Sequence, residues 1–214
     1  MNSRKTLLGV ASLTLLAAGS ASAQVFATDP KGDWVDGGSV VTIGTDFTVG
    51  NVGVTIGSLG VFDKNGDGLE RAEEVGIFRA DKTLLGSVTL KSGTGSLFHD
   101  GTRWENLTTP IALSANTTYF LAWTVHPLSD SGVPLNIVKS PADITINPLF
   151  SLAGNGYLYT DTGVPGLNFP GQGERSVGLF AFGGNLALVP EPATVGVATA
   201  LGLLGLAGWR RIRR

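Results

Sequence analysis

Short apolar runs, each cut off by Gly, Asn, Asp or Pro, recur at intervals of roughly 8 to 15 residues through the middle of this chain. No run there has the length and 3.6-residue period of an amphipathic helix. The chain also carries 31 glycines and no cysteine, so a core must hold it together without disulfides. These features predict an all-β domain, a single antiparallel β-sandwich of jelly-roll type. Candidate strands are Val40 to Ile43, Val52 to Phe62, Glu74 to Arg79, Leu84 to Leu90, Arg103 to Leu107, Thr118 to Val125, Asp143 to Ile146, Tyr157 to Thr160 and Ser176 to Phe182. Val52, Val54 and Ile56 alternate with Gly53, Thr55 and Gly57, as a half-buried strand requires. Thr118 to Val125 is the most apolar segment and is expected at the centre, with Trp123 buried. Pro127, Pro134, Pro141 and Pro148 mark loop or edge.

The two ends follow other rules. Arg4 and Lys5 precede an apolar run from Leu7 to Ala18, and Ala21-Ser22-Ala23 offers the small residues that signal peptidase cuts after. Residues 1–23 therefore read as a signal helix, and Gln24 as the first residue of the mature chain. At the other end Pro190-Glu191-Pro192 leads into an uncharged run from Ala193 to Trp209 and then Arg210, Arg211, Arg213 and Arg214. That run is about 17 residues, near the lower limit for a helix crossing a bilayer. The arginines stop it on the cytoplasmic side, leaving the bulk of the protein outside. Residues 24–188 form the domain and 189–214 the tail.

Charge sharpens the picture once it is divided among these parts. Of 15 basic residues, two lie in 1–23 and four in 189–214, whereas one of the 17 acids, Glu191, lies in those ends. The domain keeps 9 basic and 16 acidic residues, a net charge near −7. Nucleic acid is repelled by such a surface, and calcium suits it better.

The tripartite tail closely resembles the PEP-CTERM sorting signal of Gram-negative bacteria, over Val189 to Arg214. The resemblance implies recognition by an exosortase, a membrane-embedded cysteine protease that cuts near the motif. It implies export through the inner membrane, transient anchoring through the C-terminal transmembrane helix, and a final place in the cell envelope or outside the cell. It also implies a link to exopolysaccharide and biofilm. The physical logic is that of other hydrophobic tails removed during processing. Separately, Leu59-Gly60-Val61-Phe62-Asp63, Gly66-Asp67-Gly68-Leu69 and Glu74-Val75-Gly76-Ile77-Phe78 are similar to a bacterial β-sandwich domain of unknown function, over roughly Phe47 to Val125. That resemblance implies a sandwich and no activity.

One segment has metal chemistry in its spacing. From Asp63 to Glu74 the chain fits the twelve-residue calcium loop, with Asp63, Asn65 and Asp67 at positions 1, 3 and 5. Gly68 takes the sharp turn, Leu69 offers its carbonyl, and Glu74 takes the bidentate position. Arg71 at position 9 departs from the pattern, and strand-like flanks exclude a helix–loop–helix frame. The competing reading is a glycine-rich β-turn whose Asn and Asp bind local backbone donors.

Catalytic signals are weak. His99 stands beside Asp100-Gly101 in a turn, and His126 precedes Pro127 at a strand end. Glu73 and Glu74 are adjacent, so on a strand they face opposite sides. Asp100 and Glu105 meet only if a hairpin brings them together. Aromatic side chains in a sandwich of this size read first as core; Trp34 and Trp104, flanked by charged residues, are the pair expected to be exposed, and a stacking platform for sugars is the competing reading. The chain therefore reads as a non-catalytic exported protein. A carbohydrate-binding module for exopolysaccharide is the alternative, and a secreted hydrolase the second.

Overall fold

Residues 24–28, 41–63, 66–125, 144–153, 156–161, 166–171, 176–177 and 183–189 are described by a computed structural model. They lie in a compact unit, Ala23–Pro190; Met1–Ser22 and Glu191–Arg214 make up a second unit, outside the described residues. The expected signal segment and the apolar run from Ala193 to Trp209 thus fall beyond what is described. Among the described residues there is no helix, and no helix long and apolar enough to cross a membrane.

The β-branched and aromatic runs become strands, as their pleat-filling side chains favour. In chain order these are β1 (Ala27–Thr28), β2 (Val41–Val49), β3 (Val54–Phe62), β4 (Glu73–Arg79), β5 (Leu84–Leu90), β6 (Leu97–His99) and β7 (Thr102–Leu113). They continue with β8 (Thr118–Val125), β9 (Thr145–Ile146), β10 (Phe150–Leu152), β11 (Gly156–Asp161), β12 (Ser176–Val177) and β13 (Gly184–Leu188). The larger sheet runs β12-β11-β2-β8-β4-β5, with β10 also paired to β2. The smaller runs β13-β3-β7-β6, and β1 pairs with β9. All these pairs are antiparallel.

One apolar core joins the sheets. Ile43, Phe47, Val75, Ile77, Leu121 and Trp123 from the larger sheet cluster with Ile56, Leu59, Val61, Ile111 and Leu186 from the smaller. Trp123 is 1% exposed on β8, which lies between β2 and β4 as its apolarity predicts. Glycine makes room for it: a Cβ at Gly184 would lie 2.8 Å from the indole.

Several strand limits differ from expectation. β3 starts at Val54, not at Val52, which is 55% exposed. β7 runs on to Leu113 through Pro110. A proline is tolerated there because β6 pairs only with Thr102, Arg103 and Trp104, leaving one side of β7 free further along. β1, β6, β10 and β13 are strands that local patterning did not pick out. Each is at most five residues long; β1, β10 and β13 owe their form to partners far along the chain, and β6 to the tight turn that folds it onto β7.

The outer face of the larger sheet is crossed by a strap, residues 166–171. Gly166 and Gly171 bound it with φ of 131° and 152°. Leu167 and Pro170 lie where a Cβ at Gly76 or Gly44 would clash. Phe169 stacks near Phe120 and edge-on to Phe78, at centroid distances of 4.9 and 5.8 Å. Side chains from the sheet hold its backbone: Thr42 Oγ1 accepts from Asn168 N, and Thr160 Oγ1 donates to Phe169 O.

Candidate functional site

The loop from Asp63 to Ala72 joins β3 to β4, and its chemistry centres on Asp63. This carboxylate is 0% exposed. Oδ1 accepts the Gly66 amide at 3.1 Å and Oδ2 the Gly68 amide at 3.0 Å, a turn that needs positive φ at both glycines, 70° and 110°. Arg103 Nε, from β7, donates to Oδ2 at 2.7 Å. The same guanidinium donates through Nη2 to Gly66 O at 2.8 Å and through Nη1 to Ser96 O at 3.2 Å. The Phe98 ring lies 4.8 Å from its Cζ. A buried charge needs a partner and filled hydrogen bonds, and this pair has both.

A second loop closes over the first. Leu69 and Gly93 exchange backbone bonds, Leu69 N to Gly93 O at 3.1 Å and Gly93 N to Leu69 O at 2.6 Å. A Cβ on Gly68 would fall 2.6 Å from the Gly93 carbonyl carbon, so only glycine allows the two loops to touch. Beside them Ser96 Oγ accepts from Lys91 N and donates to Glu105 Oε1, and Lys91 Nζ lies 3.6 Å from that oxygen.

In this geometry the described residues of the calcium spacing have partners within the fold or face solvent. Asp63 is engaged by a guanidinium, the Leu69 carbonyl by Gly93, and Asp67 is exposed. Glu74 lies on the outer face of the larger sheet, where Oε2 accepts the Leu167 amide of the strap at 2.8 Å. The physical reason is strand pleat: Glu74 shares its face with Gly76 and Phe78, away from the loop. Asn65 lies outside the described residues. Among the described residues no three His, Asp or Glu side chains gather to hold a metal. A calcium ion at Asp63 would stand within a few ångströms of Arg103, against strong like-charge repulsion. As arranged, the donors fit a guanidinium, which supplies the positive charge that a cation supplies elsewhere. Millimolar calcium is therefore expected to leave the melting temperature unchanged. A calcium-dependent rise reversed by EDTA would show that the loop reorganises to bind metal.

The aromatic pair also changes. Trp104 is not an exposed platform: it is 8% exposed and its Nε1 donates to His99 O at 3.3 Å. Gly60, its cross-strand partner, has no side chain, and the indole lies on that bare backbone. Trp34 and His126 lie outside the described residues, as do Ala21, Ala23, Pro190, Glu191, Pro192, Arg210, Arg211, Arg213 and Arg214. Gln24 is exposed, and its carbonyl accepts the Leu188 amide. His99 and Asp100 are exposed and 3.1 Å apart, in a turn whose Asp100 and Gly101 have φ of 48° and 69°. Asp100 thus turns to His99 while Glu105 bonds Ser96.

Glu73 faces the opposite way from Glu74. It opens β4 opposite Leu90, on the face that carries Val75 and Ile77 into the core. Glu73 is half-buried by accessible surface, and desolvation among these apolar neighbours pushes its carboxyl from the ordinary 4.5 up to about 8. Between those values the folded chain keeps a proton that the unfolded chain has lost. Stability therefore falls as pH rises from about 4.5 to about 8. Glu73→Gln is expected to flatten that part of a melting-temperature-against-pH curve; an unchanged slope would assign it to another group.

No protein-family model matches the chain, and no curated protein matches it.

Proposed function

We propose that the chain is a non-catalytic exported protein of the cell envelope or extracellular matrix, sorted by an exosortase through Pro190-Glu191-Pro192. The observation that carries this reading is the order of three parts in one stretch: a proline-bounded glutamate, an apolar run of membrane length, and four arginines. Its resemblance to the PEP-CTERM signal supplies the partner. In this reading signal peptidase cuts after Ala23, the tail holds the protein in the inner membrane, and exosortase then hands it on to an exopolysaccharide-rich surface.

The domain itself is read as a β-sandwich, two antiparallel sheets about one core. A structural role is favoured by what its polar groups are used for. Asp63, Glu74 and Glu105, the carboxylates closest to a chemical pattern, are each bonded to parts of the fold. The carbohydrate-binding alternative loses Trp104 to the interior.

The test is Glu191→Ala in the producing cell. The variant is expected to stay membrane-associated at its full tailed length while the native protein is trimmed. Identical trimming of both would overturn the sorting role.

A further inference from the structure

The residues that follow the expected signal cut and the strand that precedes the sorting motif are bound to each other. Phe26 N donates to Leu186 O, and Leu188 N donates to Gln24 O, both at 2.8 Å, with Val25 opposite Ala187. On its other side β13 pairs with β3 from Gly184 to Leu188. The ladder runs one residue further, where Val189 N donates to Thr55 O at 2.8 Å. Both edges of β13 are therefore taken from Leu186 to Leu188, and Val189, the residue before Pro190, is held on the β3 side.

The N-terminal segment is itself fixed along its length. Asn185 Oδ1 accepts from Ala27 N, and Asn185 Nδ2 donates to Ala27 O. Asn147 N donates to Phe26 O, and Asn147 Nδ2 donates to Val25 O. Phe26, buried completely, stacks with Phe47 and Phe150 at centroid distances of 5.1 and 5.0 Å. Leu186 is also fully buried.

A protease binds its substrate as an extended strand, through that strand's own backbone N–H and C=O groups. A strand bonded on both edges has none to give. We propose that the pairing of Gln24–Phe26 with β13 restricts sorting cleavage to Pro190 or beyond, so that the released protein keeps β13 whole. The point of exosortase cleavage rests on the sorting reading above; the protection of β13 does not. In the cleavage the peptide C–N bond breaks, the tail leaves as an amine that takes a proton, and the acyl carbon passes through the protease thiol to water or to an amine or hydroxyl acceptor. The acyl residue is then the new C-terminus of the domain. A cut inside β13 would strip Leu186 from the core and free Phe26.

Two measurements decide the matter. Intact mass of the released protein from the producing cell is expected to place its C-terminus at Pro190 or later; a C-terminus within 184–189 overturns the proposal. Separately, the purified full-length chain is digested with a non-specific protease. The resistant core is expected to extend through Val189. Asn185→Ala, which removes two bonds to Ala27, is expected to hasten loss of β13 about tenfold, and Asn147→Ala, which removes one bond to Val25, to hasten it by less. Trimming into β13 at an equal rate in the native chain and both variants overturns the proposal. If cells never cut the tail, sorting by exosortase fails, while a core that retains β13 still upholds the protection.

Discussion

Arg103→Met is expected to lower the free energy of unfolding by about 3–5 kcal/mol, the usual cost of breaking a buried ion pair from one side. The loss is large because Asp63 stays behind, wholly enclosed and without its cation. The guanidinium also holds the carbonyls of Gly66 and Ser96, so both loops beside it lose an anchor. Arg103→Lys restores the charge but not the fork, since an ammonium cannot repeat the planar set of N–H donors. It is expected to recover only part of the loss. Asp63→Asn combined with Arg103→Met removes both charges and should be less damaging than Arg103→Met alone. Urea titration with a shared slope measures all three. A loss below about 1 kcal/mol for Arg103→Met would mean that the pair behaves as an exposed one.

Phe26→Ala is expected to cost a similar amount, about 3–5 kcal/mol. The ring is fully buried against Phe47 and Phe150, and alanine leaves a cavity that β-sheet neighbours cannot close. The result matters beyond stability. Phe26 is the third residue of the expected mature chain, and a strong effect would show that the N-terminal segment is part of the core. Hydrogen exchange at the Leu188 amide, which donates to Gln24 O, reads the same event locally. Exchange unchanged in the variant would mean that the segment contributes packing and does not hold β13.

In the two loops Asp63, the first residue of the calcium spacing, is met by an arginine. Spacing from Asp63 to Glu74 meets the loop requirement for turn and ligand type. It says nothing about what arrives from elsewhere in the chain. Arg103 is 40 residues away and reaches Asp63 only because β7 pairs with β3, with Val61 opposite Arg103. Leu167, 93 residues from Glu74, takes that carboxylate because the strap crosses its face of the sheet. The burial of Trp104 has a related cause. Its charged neighbours Arg103 and Glu105 suggested solvent, but both turn to partners inside the fold.

What the sequence determined by itself is local in origin. The pleat repeats every two residues and glycine marks the turns, so the all-β class, the centre at β8 and the burial of Trp123 were legible from side-chain order. The Asp100-Gly101 turn was legible too, because its backbone needs positive φ. Tertiary structure alone decided which charges meet, which face Glu74 takes, and that Gln24 to Phe26 lies against β13 some 160 residues on, as in the 158-residue span from Ala27 to Asn185. Such pairings depend on how two sheets close around a shared core. Alternation along a single strand carries no record of its partner.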